Sequence, residues 1–123
     1  MLRAAALLHD VTHIPFGHNI EDQTGLLPRH DEPSRFRAVL GETELGAELD
    51  RQGLRNDVLA VLTGEGKAVV PFWRQVVSDT IDADLFDDPP PAAIYTGLEL
   101  RYDRRVVDYF RVANEKIVEC EVV

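Results

Sequence analysis

The chain has 123 residues, enough for one domain, with 45% hydrophobic and 28% charged residues, the mix of a folded globular chain and not of a disordered tail. Thirteen basic residues against 22 acidic ones give a net charge of −9, which argues against a general nucleic-acid-binding surface, because neutralising phosphates takes clustered Lys and Arg. A single cysteine, Cys120, excludes an internal disulfide and a cysteine zinc knuckle, and no run approaches the roughly 18 apolar residues of a membrane helix. The composition reads as an acidic cytoplasmic domain with no membrane contact.

The pattern is mostly helical with a short β ending. Leu2–Leu8 is rich in Ala and Leu, the strongest helix formers, but starts without a visible cap. Pro15 suits the first turn of a second helix, and Ile14 before it is biased out of the helical region, so residues 10–14 form a tight corner. Residues 25–31 read as a loop. Pro33 opens a helix carrying Phe36, Val39 and Leu40, and Gly41 ends it. Thr43 caps the next helix, with Leu45, Leu49 and, near its end, Leu54. Asn56 caps a helix over 57–63 that Gly64 closes. Residues 64–67 make a turn, since Gly-Glu-Gly-Lys lacks the strand and glycine spacing of a phosphate loop. Pro71 or Phe72 starts a helix whose Trp73, Val77, Ile81 and Asp84 share one face, and Pro89, Pro90 and Pro91 must end it. At the end, residues 109–112 and 116–123 alternate around Ala113, Asn114 and Glu115 as a β-hairpin.

The chemistry concentrates near the start. His9, His13 and His18 fall within ten positions and His30 follows. His9 lies on the apolar stripe of the first helix with Asp10 beside it, where the helix should stop. A bend there lets imidazole and carboxylate converge on one ion. Asp84 sits on an apolar face, where a carboxylate costs several kcal/mol unless paired or bound to a metal. No Arg or Lys stands three or four positions away, and Asp87 and Asp88 repel it. One imidazole and two carboxylates suit a divalent ion such as Mn²⁺, Fe²⁺, Mg²⁺, Zn²⁺ or Ni²⁺. Against this stands the plainer reading of a core histidine and surface acids. Arg29, Arg35 and Arg37, near His30, are expected to be solvated.

The run Ala6-Leu7-Leu8-His9-Asp10-Val11-Thr12-His13-Ile14-Pro15-Phe16-Gly17-His18 resembles the signature of the HD-domain phosphohydrolases, and within them the deoxynucleoside triphosphate triphosphohydrolase branch. The likeness continues at Val77-Ser78-Asp79-Thr80-Ile81-Asp82-Ala83-Asp84 and at Tyr95-Thr96-Gly97, so that it runs from about residue 4 to residue 112. The resemblance implies an all-α HD-domain helical bundle and metal-assisted hydrolysis of phosphoesters, often nucleotides. It makes His9, Asp10 and Asp84 the ligands of one divalent metal. His13 and His18 fall on two active-site histidines, Glu21 on an acid that works with the histidine at His18, and His30 on a histidine that contacts phosphate.

Two departures stand out. The family's metal site has a further His well upstream of the His-Asp pair, whereas eight residues precede His9 here, so the chain is expected to be a partial HD domain, truncated at its N-terminus. Asp88-Pro89-Pro90-Pro91-Ala92 replaces a stretch in which the family carries a Tyr and an Arg-Asp pair. The expectation is a metal-dependent phosphohydrolase acting on a phosphorylated small molecule or nucleotide, with homo-oligomerisation a further expectation. The alternative is a degenerate, non-catalytic HD module that binds a nucleotide or a protein partner.

Overall fold

The structure is a computed structural model that describes residues 1–23, 26–66, 70–78, 97 and 104–119. They show six α-helices, a 3₁₀ segment and a C-terminal two-stranded antiparallel hairpin, the mostly helical architecture expected of an HD domain. They fall into two units, Met1–Val69 and Val70–Val123. No helix among the described residues is long and apolar enough to cross a membrane.

The first unit is built around α5, Arg55–Thr63, against which α1 (Leu2–Leu8), α3 (Pro33–Val39) and α4 (Glu44–Arg51) pack. Val58, Val61 and Leu62 of α5 are buried against Ala5, Phe36, Leu40 and Leu49, which form the core. Fully burying side chains of this size is worth about 1.5–3 kcal/mol each. The caps follow the expected chemistry in part. Pro33 sits in the first turn of α3. The Thr43 hydroxyl accepts the Gly46 N–H at 3.0 Å and caps α4.

Leu54 does not belong to the end of α4. Gly53 turns left-handed (φ 67°), its N–H donates to the Asp50 carbonyl at 2.9 Å, and the Leu54 N–H donates to the Leu49 carbonyl at 2.8 Å. This pair of bonds is a Schellman ending. It places Leu54 directly at the N-terminus of α5, which therefore starts at Arg55, before the position where an Asn56 cap would start it. Gly64 (φ 68°) ends α5 as expected.

The short α2 spans Gly17–Glu21 and starts two residues later than Pro15 suggests. The Gly17 N–H donates to the Ile14 carbonyl at 2.9 Å, so Ile14 to Gly17 is a tight turn with Pro15 second and Phe16 third. Phe16 takes φ 60°, ψ 26°, the left-handed geometry that a type II turn needs at that place. Proline's fixed φ serves the turn here instead of the helix.

In the second unit, α6 spans Pro71–Val77 and stops at Ser78, whose backbone is extended (φ −157°, ψ 90°). Serine competes for backbone hydrogen bonds and favours such helix ends. A helix running unbroken to Asp84 is therefore not formed. Asp84, Ile81 and the proline stretch lie outside the described residues. A 3₁₀ segment, Arg104–Tyr109, precedes β1 (Phe110–Ala113), which pairs with β2 (Lys116–Glu119) in the register Ala113 to Lys116 and Phe110 to Glu119. The connection is two residues, Asn114 and Glu115, both left-handed (φ 51° and 60°), so Ala113 belongs to the strand and Tyr109 does not. The hairpin has a partner that the sequence did not reveal. The Phe72 N–H donates to the Glu115 carbonyl at 2.9 Å, and the Ile117 N–H donates to Gln75 Oε1 at 2.8 Å.

Candidate functional site

The end of α1 sets the first pair of residues. His9 is the C-cap of α1, and its Nδ1 lies 2.7 Å from the Ala6 carbonyl. A carbonyl only accepts, so Nδ1 carries a hydrogen. Nε2 lies 3.4 Å from Asp10 Oδ1. Two bonds of about 2.1 Å from such a pair to a shared cation meet at roughly 108°, close to the tetrahedral angle. The pair thus fits a divalent ion as two neighbouring ligands. Asp10 is half exposed and reaches further along the chain, with Oδ1 4.0 Å from His13 Nε2.

The turn through Pro15 and Phe16 then brings His13 and His18 to one place. His18 is on α2, while His30 comes from the loop before α3. The ring of His13 stacks on that of His30 with centroids 4.0 Å apart. His18 stands edge-on to both, at 4.9 Å and 5.1 Å. One nitrogen from each of the three lies within 4.8 Å of the other two. Gly17 admits this packing: a Cβ there would lie 2.5 Å from His13 Nδ1. His18 is exposed and the other two are partly buried.

Glu21 anchors the cluster from behind, one helical turn after Gly17. Its side chain is fully shielded, with Oε2 accepting from His30 Nδ1 at 2.9 Å and Oε1 from Arg35 Nη1 at 3.2 Å. The His30 side-chain hydrogen bond, a further bond from the His30 backbone N–H and the charges of His30 and His13 outweigh burial. They hold the Glu21 carboxyl down at about 2. The resemblance ties this acid to His18, whereas the structure sets it against His30.

Two functional neighbours escape sequence reasoning. Arg35 is not a solvated surface residue: it also donates to the carbonyls of Thr12 at 2.5 Å and Pro28 at 2.8 Å. Buried Thr12 donates its hydroxyl to the His30 carbonyl at 2.5 Å. The signal for Arg35 lay in Glu21, an acid whose burial demands a cation. Arg29 and Arg37 are exposed and pair with acids, Asp22 and Asp31 for the first and Glu65 for the second. Asp84 lies outside the described residues.

The order of residues along the chain and the geometry above agree with a match to the HD domain model over residues 1–88. The chain belongs to the HD-domain family. The HD-domain family is one of metal-dependent phosphohydrolases. The chain is also similar to a Bacillus subtilis (strain 168) protein described as the uncharacterized protein YwfO, at 36% identity over 121 residues. That alignment covers 94% of this chain and 26% of the relative, so the chain spans about a quarter of that protein's length. No solved structure matches the chain.

Proposed function

We propose that this HD domain is the catalytic part of a metal-dependent phosphohydrolase acting on phosphoesters, with nucleotides as the substrate class. The observation that carries the reading is the continuity of the site: Asp10, paired with His9, also lies 4.0 Å from His13, the first member of the three-imidazole cluster. His9 and Asp10 would hold one divalent ion, and the resemblance adds Asp84 to them. The chemistry such an ion would supply is polarisation of a phosphoryl oxygen and neutralisation of developing charge. The remaining work falls to the chain's own side chains. Glu21 accepts the His30 Nδ1 hydrogen and so fixes the His30 ring in the cluster, where it contacts a phosphate oxygen. His13, the cluster member nearest Asp10, holds the phosphate from the other side. His18, exposed, has room to move a proton to the leaving oxygen as water attacks phosphorus. Positioned proton transfer of this kind contributes about 10²–10⁴-fold. The nucleotide class rests on the likeness to the deoxynucleoside triphosphate branch.

The test is a screen of deoxynucleoside triphosphates and simple phosphoesters with Mn²⁺, Mg²⁺, Fe²⁺, Ni²⁺ and Zn²⁺. The expected result is phosphate or polyphosphate release that EDTA stops, that Asp10→Ala and Asp84→Ala abolish, and that His18→Ala lowers by about 10²-fold or more. Turnover that survives Asp10→Ala and Asp84→Ala would remove the mechanism. Nucleotide binding with no turnover under any metal would make the domain a non-catalytic HD module.

A further inference from the structure

We propose that Thr12 is a positioning residue of the site, whose hydroxyl sets the His30 ring against His13 and Asp10. What the ring does there rests on the phosphohydrolase reading above; how it is held rests on hydrogen bonds alone.

Two stretches distant in sequence have to be brought into register. Residues 10–13 carry Asp10 and His13, while His30 comes from the loop before α3, yet the two rings stack with centroids 4.0 Å apart. Glu21 ties His30 to α2, since its Oε2 accepts from His30 Nδ1 at 2.9 Å. That bond places the ring relative to the helix of His18 and leaves its register against residues 10–13 open.

Thr12 supplies that register. Its hydroxyl donates to the His30 carbonyl at 2.5 Å, and its own carbonyl accepts from Arg35 Nη2 at 2.5 Å. Arg35 Nη1 donates to Glu21 Oε1 at 3.2 Å. The bonds close a circuit from Thr12 to His30, Glu21, Arg35 and back to Thr12. His30 is thereby held at both ends, its carbonyl by Thr12 and its ring by Glu21, so that release of either end lets the ring shift.

The residue type follows from this task. Thr12 is buried, so no bulk water replaces its hydroxyl. Valine has nearly the same shape but leaves the His30 carbonyl without that donor. The branched Cβ restricts χ1, which aims the hydroxyl before the bond forms. Serine keeps the donor with more rotational freedom. Thr12 reaches the reaction through His30, which makes its effect separable from that of a residue that serves the fold alone.

The test uses the full chain and two readouts. The first is the ring N–H resonance of His30 in the proton NMR spectrum, assigned by its loss in His30→Ala. It should be visible and slow to exchange in the wild type, should exchange about tenfold faster or more in Thr12→Val and Thr12→Ala, and should persist in Thr12→Ser. The second is phosphoester turnover with Mn²⁺. Thr12→Val should lower kcat/KM by about tenfold to 10²-fold, with Thr12→Ser recovering most of it. Thr12→Val combined with His30→Ala should be no slower than His30→Ala alone, because residues that act as a unit are not additive. Circular dichroism checks folding. A His30 resonance indifferent to Thr12→Val, or additive losses in the double variant, would overturn the proposal. So would Thr12→Val and Thr12→Ala that both fail to fold, since the hydroxyl would then serve the fold. A resonance that responds as expected in a chain that hydrolyses no phosphoester would leave Thr12 in its role and sink the catalytic reading alone.

Discussion

The Nδ1–H of His30 donates to Oε2 of Glu21 at 2.9 Å, and the Glu21 side chain is fully shielded from solvent. A buried carboxylate survives only with such partners, and here they bring its pKa from 4.5 to about 2. A depressed carboxylate stabilises the fold fully above its unfolded pKa and loses that contribution as pH falls through the folded value. The window therefore runs from about pH 4.5 down to about pH 2. Urea denaturation of wild type and Glu21→Gln at a series of pH values should show the wild type's advantage steady above this window and shrinking through it. A gap that does not change with pH would mean that Glu21 stabilises by shape alone.

Arg35 joins three segments through one guanidinium: the Thr12 carbonyl, the Pro28 carbonyl and Glu21. Removing it leaves the Glu21 carboxylate with one cationic partner fewer and frees the three segments it ties together. Arg35→Ala should lower stability. Arg35→Lys should recover only part of that, since an ammonium cannot reach all three acceptors as a planar fork does. Chemical denaturation of the three proteins decides the matter, and full recovery by Lys would reduce the role of Arg35 to charge.

Much of this was legible before any coordinates. Apolar spacing and the Pro33, Thr43 and Gly64 punctuation gave α3, α4 and the end of α5, because those signals act within one or two turns of the chain. The failures came where two local signals competed. Pro15 fits a helix start and a turn equally well, and the left-handed Phe16 decided for the turn. Asn56 is a good cap, but the Schellman ending at Gly53 had already delivered the chain into α5 two residues earlier. At the site, His13, His18 and His30 stand close in sequence, and their rings meet. Arg35 was hidden because nothing local separates an arginine that spans three segments from one that faces water.

The hairpin turn carries backbone strain in an accessible place. Glu115 is left-handed at φ 60°, a conformation that costs a side-chain-bearing residue about 1–2 kcal/mol. Asn-Gly is the preferred pair for such a two-residue turn. Glu115→Gly should therefore stabilise the chain by about 1 kcal/mol, less the extra entropy of glycine in the unfolded state. The Glu115 carbonyl that accepts from Phe72 is kept by the substitution. A thermal melt reads the result, and a lower midpoint would show that the Glu115 side chain does more than occupy the turn.

Gly17 separates the geometry of the site from the stability of the fold. A Cβ at Gly17 would lie 2.5 Å from His13 Nδ1 and 2.9 Å from His13 Cε1, so the ring must move. Forcing a packed side chain aside costs about 1–3 kcal/mol, while alanine in place of glycine inside a helix returns about 1 kcal/mol. Gly17→Ala should thus lower stability only slightly, by about 1 kcal/mol, yet displace His13 from both His30 and Asp10. A misplacement near 1 Å in a catalytic arrangement can cost about 10²-fold in rate. Adding His13→Ala to Gly17→Ala removes the clash, so the double variant should be at least as stable as Gly17→Ala alone although its site is gone. Thermal melts of the two single variants and the double variant complete the cycle. Independent, additive losses from the two substitutions would mean that the glycine is there for some reason other than the ring it faces.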